Sequence, residues 1–246
     1  SHYPQSKHFL NRCDELGLLV FEEFPGWQYI GSEGWKKNAM VALREMIERD
    51  WNHPGIVLWG VRINESQDDD AFYRETNELA HRLDRTRQTG GVRNFAGSQF
   101  FEDVYTYNDF VHSGANQALK TRKEVAKGRV PYLVTEHNGH MFPTKKIDNE
   151  EKRVEHALRH LRVLNSAYGA EEISGAIGWC MSDYNTHKDF GSGDKICYHG
   201  VTDLFRLPKF AAYAYRSQKD DEVVMEVASG MNQGERTGSN LSEVHV

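Results

Sequence analysis

Between Ile56 and Ser66 the chain reads Ile-Val-Leu-Trp-Gly-Val-Arg-Ile-Asn-Glu-Ser. Apolar side chains dominate from Ile56 to Val61, where a strand covered on one face would alternate apolar with polar. Burial on both faces is the habit of parallel sheets, whose helices cover each side. An amide and a carboxylate, Asn64 and Glu65, follow just past the apolar segment. The pattern recurs where Pro131-Tyr132-Leu133-Val134-Thr135 runs into Glu136. A lone glutamate at a strand end is usually only solvated. Two of them, each closing an inner strand, form a pair that could serve as acid and nucleophile.

The rest of the chain alternates helical and extended patterns. Helices are expected at 5–16, closed by Gly17, and at 35–51, stopped by Asn52-His53-Pro54. A third opens at Asp68-Asp69-Asp70, whose carboxylates suit a helix N-terminus better than a metal, and runs to about Gln88 before Gly90-Gly91. A short helix is expected at 116–126. The clearest is 150–168, with Val154, Ala157, Leu158, Leu161 and Leu164 as its buried face. Another starts at Pro208-Lys209. Strands are expected to end near Phe21, Val61, Ala96, Tyr107, Thr135 and Met181. Alternation of this kind predicts a parallel sheet wrapped by helices, an α/β barrel.

Composition narrows the function classes. A net charge of −6 over 246 residues argues against a nucleic-acid partner. No apolar run approaches the ~20 residues of a membrane helix. Cys13, Cys180 and Cys197 are too scattered for a disulfide framework or a structural zinc site, which fits a reducing compartment; a cytoplasmic location is expected. The first residue is Ser, so any secretion signal would lie upstream.

Several ordered segments carry a more specific message. Ser1-His2-Tyr3-Pro4 and Cys13-Asp14-Glu15-Leu16-Gly17-Leu18-Leu19-Val20 open the series. Asn52-His53-Pro54, Trp59, Asn64-Glu65-Ser66 and Thr135-Glu136 follow. Gly178-Trp179, Asp183-Tyr184 and the run from Gly200 to Lys209 complete it. Together they resemble the catalytic TIM barrel of family two glycoside hydrolases, which includes β-galactosidases and β-glucuronidases. The likeness covers roughly residues 1–220.

This resemblance implies retaining hydrolysis of β-glycosides through a covalent glycosyl-enzyme. Glu65 would be the acid/base and Glu136 the nucleophile, their carboxyls about 5–5.5 Å apart as retention requires. Asn64 would hold the sugar 2-hydroxyl, His2 would contact the sugar, and Trp179 would floor the pocket. His137, Asn138 and His140 follow the nucleophile, and one of them is expected to face substrate. Asp183, Tyr184, Asn185 and His187 read either as hydroxyl contacts or as loop-internal bonds. Where many relatives carry a tyrosine two residues after an asparagine, this chain has Asn108-Asp109-Phe110; Tyr107 or Tyr105 is expected to substitute. Phe24-Pro25-Gly26-Trp27-Gln28 stands where magnesium-dependent relatives place their ligands, so no metal or other cofactor is expected. The uronate-reading Asn-x-Lys is missing around Ile196 to Gly200, which favours a neutral sugar, β-galactoside first. The alternatives are a β-glucuronidase or another exo-β-glycosidase, or a barrel that binds carbohydrate without turnover.

Six strands fall short of the eight that close such a barrel. Against the family pattern the first strand and most of the second are expected to lie upstream. Residues 1–220 are then the barrel domain, and 221–246 a linker with the start of a following β-sandwich. The missing domains of the parent chain are the expected partners, with a homo-oligomer possible.

Overall fold

The computed structural model describes residues 1–110, 119–138, 142–186, 194–229 and 245–246. Six strands form one sheet in the order β1 (Val20–Glu23), β2 (Ile56–Gly60), β3 (Gln88–Arg93), β4 (Val104–Asp109), β5 (Tyr132–His137), β6 (Ala176–Gly178). Strands β1 to β4 pair in parallel, with a register shift between Val20 and Phe21. Sequence order matches sheet order, as strand–helix repeats demand. The chain divides into two compact units. The first holds Ser1–Asn108, Thr121–Thr135 and Glu172–Gly175; the second holds Asp109–Lys120, Glu136–Glu171 and Ala176–Val246.

In the first unit, helices α1 (Lys7–Leu16), α2 (Glu33–Asp50) and α3 (Asp70–Leu83) pack their apolar stripes against β2. Ser6, Ser32 and Asp69 cap them, each accepting a backbone N–H three residues on. Gly17 ends α1 with φ 67°, a left-handed turn that a side chain would resist. Leu10, Leu43, Ile47, Trp59 and Phe72 form the centre of the core. On α2 the buried residues are Ala39, Leu43, Met46, Ile47 and Asp50, whereas Trp51 is exposed.

One boundary differs from expectation. Helix α3 stops at Leu83, and Gly90-Gly91 lies inside β3 rather than closing the helix. Asp84 makes the stop: its carboxylate accepts from Thr86 N, Thr86 Oγ1, Arg87 Nη1 and Trp59 Nε1, pulling the chain out of helical register. Gly91 is in the strand because a Cβ there would lie 2.5 Å from Arg62 Cβ. Those neighbours belong to a buried charged layer. Arg93 and Glu102 pair at 2.6 Å, both almost wholly buried, while Arg62 bonds Asp68 and the Ser66 carbonyl. Strand β3 accordingly ends at Arg93, three residues before the expected Ala96.

In the second unit, α5 (Glu150–Tyr168) packs against α6 (Phe210–Arg216), and Tyr184–Asn185 (β7) pairs antiparallel with Ile196–Cys197 (β8). The buried face of α5 is Val154, His156, Ala157, His160 and Val163. Leu158, Leu161 and Leu164, expected inside, instead line an open groove with Tyr168 and Gln218. Hydropathy misplaced the stripe because histidines counted as polar. His160 bonds Tyr215 Oη through its Nδ1 at 2.8 Å and meets the His156 ring edge to face, and burial keeps His156 neutral. Helix α4 covers only Arg122–Val125; the expected start at 116 lies outside the described residues. Residues 222–228 form no strand; Ala228 N bonds the His245 carbonyl.

Candidate active site

Strand β2 delivers Glu65 through an unusual backbone. Its N–H bonds the Val92 carbonyl, and its φ is 56°, in the left-handed region. Trp27 bridges to Asn64 in parallel, and Gln28 N bonds the Asn64 carbonyl at 2.8 Å, so the segment after β1 runs alongside. The side chains of that segment meet the carboxylate. Trp27 Nε1 donates to Glu65 Oε2 at 3.2 Å and Gln28 Nε2 donates to the same oxygen at 3.1 Å. Asn108, near the end of β4, donates through Nδ2 to Oε1 at 3.1 Å. Three N–H groups therefore aim Glu65, which stays partly open to solvent.

Asn64, almost wholly buried, faces His2 with its Nδ2 3.1 Å from the ring Nδ1. The His2 ring stacks on Trp27 at 6.5 Å between centroids, and burial holds its pKa below the ordinary value. The first unit thus brings together three residues singled out from the sequence, Glu65, Asn64 and His2. It places Tyr107 differently: that ring is 2% exposed and its hydroxyl donates to the Asn94 carbonyl at 3.4 Å. Tyr105 donates to the Val125 carbonyl. The residue of β4 that touches Glu65 is Asn108, between Tyr107 and Asp109.

In the second unit Glu136 stands at the end of β5, partly exposed, directly before His137. His137 is fully buried; its Nδ1 lies 2.5 Å from Asn138 Oδ1 and its carbonyl accepts from Trp179 N at 2.8 Å. Trp179 Nε1 in turn donates to Tyr184 Oη at 3.3 Å, the rings edge to face. Burial pushes the neighbouring Cys180 thiol up, with Cys197, Asp183 and Glu136 adding to it. Asp183 is buried against Lys209 Nζ at 2.7 Å, and that ammonium also reaches the Thr144 and Tyr198 carbonyls. It is an internal anchor for the loop after β6. His140 and His187 lie outside the described residues.

Trp27, Gln28 and Asn108 lie outside the residues that the sequence singles out for the site. Trp27 and Gln28 act through side-chain N–H groups that no motif ties to Glu65, and the one signal for Asn108 is its place at the end of an inner strand.

Each unit carries a carboxylate at or just past the end of a strand, Glu65 in the first and Glu136 in the second. Residues 1–220 match the model of glycosyl hydrolases family 2, TIM barrel domain, and the chain belongs to that family. It is 66% identical over 241 residues to a β-galactosidase of Thermoanaerobacterium thermosulfurigenes, covering 96% of this chain and 34% of the relative. A β-galactosidase of Thermoanaerobacter pseudethanolicus is 57% identical over 222 residues, covering 89% of this chain and 29% of that protein. Among solved structures, a GH2 β-galacturonidase from Eisenbergiella tayi bound to galacturonate superposes with a TM-score of 0.74 at 24% identity, over 89% of this chain and 44% of that one. The last likeness concerns the fold. The chain spans about a third of the length of the curated relatives it matches.

Proposed function

We propose that the protein containing this chain is a retaining exo-β-glycosidase acting on β-galactosides, with Glu65 as acid/base and Glu136 as nucleophile. The observation that carries the reading is the dressing of Glu65 by Trp27, Gln28 and Asn108, three N–H donors on a carboxyl that remains reachable from solvent. Donors placed in this way fix the direction of the carboxyl, and proton transfer to or from a reacting oxygen needs that fixed geometry. The 66% identity to a β-galactosidase supports the choice of sugar.

In the proposed reaction Glu136 attacks the anomeric carbon while Glu65 protonates the departing oxygen. Glu65, now a carboxylate, then takes a proton from the water that hydrolyses the glycosyl-enzyme, which restores both groups. Asn64 and His2 bind sugar hydroxyls, and Trp179 offers an aromatic face. The match ending at residue 220 supports a domain boundary there.

A panel of nitrophenyl glycosides, tested on the full-length protein, checks the reading. Turnover of the β-galactoside is expected to exceed that of the β-glucuronide. Glu136→Gln should abolish trapping of a glycosyl-enzyme. Glu65→Gln should slow substrates with poor leaving groups far more than activated aryl ones. Equal loss on both kinds would remove Glu65 from the acid role.

A further inference from the structure

Asn108 commits both ends of its amide. Its Oδ1 accepts from Thr135 Oγ1 at 3.0 Å, while its Nδ2 lies 3.3 Å from Asn64 Oδ1 and 3.1 Å from Glu65 Oε1. An amide nitrogen only donates and an amide oxygen only accepts, so each contact fixes the polarity of the next. With Asn64 Oδ1 taken by Asn108, Asn64 Nδ2 is the atom turned to His2 Nδ1 at 3.1 Å. Nδ1 must then carry the lone pair, which leaves the proton of a neutral ring on Nε2. Turning the Asn64 amide over would set its Nδ2 against Asn108 Nδ2, two donors face to face. Turning Asn108 over would set its oxygen against the Glu65 carboxylate.

We propose that Asn108, turned by the Glu65 carboxylate, is a positioning residue that fixes the donor and acceptor pattern of Asn64 and so makes His2 an Nε2–H donor toward a sugar hydroxyl. The proposal rests on the reading of Glu65 as acid/base, yet its core claim concerns a ring tautomer and can be read without turnover. The anchor of the chain is the Glu65 carboxylate, which only accepts; the Thr135 hydroxyl can donate or accept and would serve either orientation of Asn108. A purely structural asparagine at 108 would leave the tautomer of a residue two links away unchanged.

The test uses the full-length protein labelled with ¹⁵N in its histidines, at a pH where His2 is neutral. The His2 signals are assigned by their loss in His2→Gln. The wild type should show the Nε2–H tautomer. Asn108→Ala, which removes the amide between Glu65 and Asn64, should give a mixture of tautomers and lower kcat/KM about tenfold, the scale of a lost hydrogen bond beside a charge. An Nδ1–H tautomer in the wild type would overturn the proposal whatever the variants do. So would a His2 signal unchanged in Asn108→Ala. Failure of the Glu65 reading is a separate result, visible only as equal loss across leaving groups in Glu65→Gln.

Discussion

His156 offers a sharp test of how burial governs this chain. The ring is 3% exposed on α5, edge-on to His160 at 5.0 Å, and its Nδ1 has no hydrogen-bond partner among the described residues. Burial, with the charge of Lys209 next, pushes its pKa from 6.5 down to about 3. The unfolded chain takes up a proton below 6.5 and the folded one does not. The unfolded state therefore binds more protons between 6.5 and 3, and stability falls as the pH drops through that window. At pH 5 the gap from 6.5 is worth about 2 kcal/mol, at ~1.4 kcal/mol per pH unit. The perturbation is His156→Gln, which removes the titration and keeps a polar side chain of similar reach. Urea unfolding of both proteins at pH 7 and pH 5 isolates the effect, because every other titrating group cancels in the comparison. The wild type should lose about 2 kcal/mol more than the variant over that step. Parallel pH profiles would refute the argument.

Glu22 should act with the opposite sign. It is 1% exposed, and burial raises its pKa from 4.5 to about 7 because Arg49, 3.6 Å away, is turned onto Asp50. The folded chain keeps this proton where the unfolded chain has lost it, so stability declines as pH rises from 4.5 to 7. Glu22→Gln should remove about 3 kcal/mol of that decline, read as the difference in unfolding free energy between pH 5 and pH 8. Gly91→Ala should destabilise by at least ~1–3 kcal/mol, since the new methyl meets Arg62 and Glu102 inside the charged layer. A melting temperature equal to wild type would show that the layer yields.

The sequence carried the order of the fold plainly. Runs such as Ile56 to Val61 announce strands buried on both sides, and Gly17 or Asp69 mark helix ends through backbone chemistry that acts within a few residues. What stayed hidden depends on partners distant in the chain. Gly90-Gly91 looked like punctuation after a helix, and only the crowding from Arg62 and Glu102 explains glycine in a strand. Leu158, Leu161 and Leu164 promised the inner face of α5, but His156 and His160 took it, with Tyr215 bonding His160 and the two rings packed edge to face. The site divides in the same way. Glu65 and Asn64 were legible from their place after a strand and from family likeness. The donors that aim Glu65 come from Trp27, Gln28 and Asn108, which no local pattern ties to it.

The left-handed backbone at Glu65 has an evolutionary side. A φ of 56° costs a residue with a Cβ on the order of 1 kcal/mol, and glycine almost nothing. For backbone conformation alone glutamate is a poor choice at position 65: glycine there would relieve roughly that much strain while losing the contacts from Trp27, Gln28 and Asn108 and the proposed proton donor. A stabilisation campaign that relaxed this backbone position would remove the proposed acid, so it needs turnover in its screen from the first round.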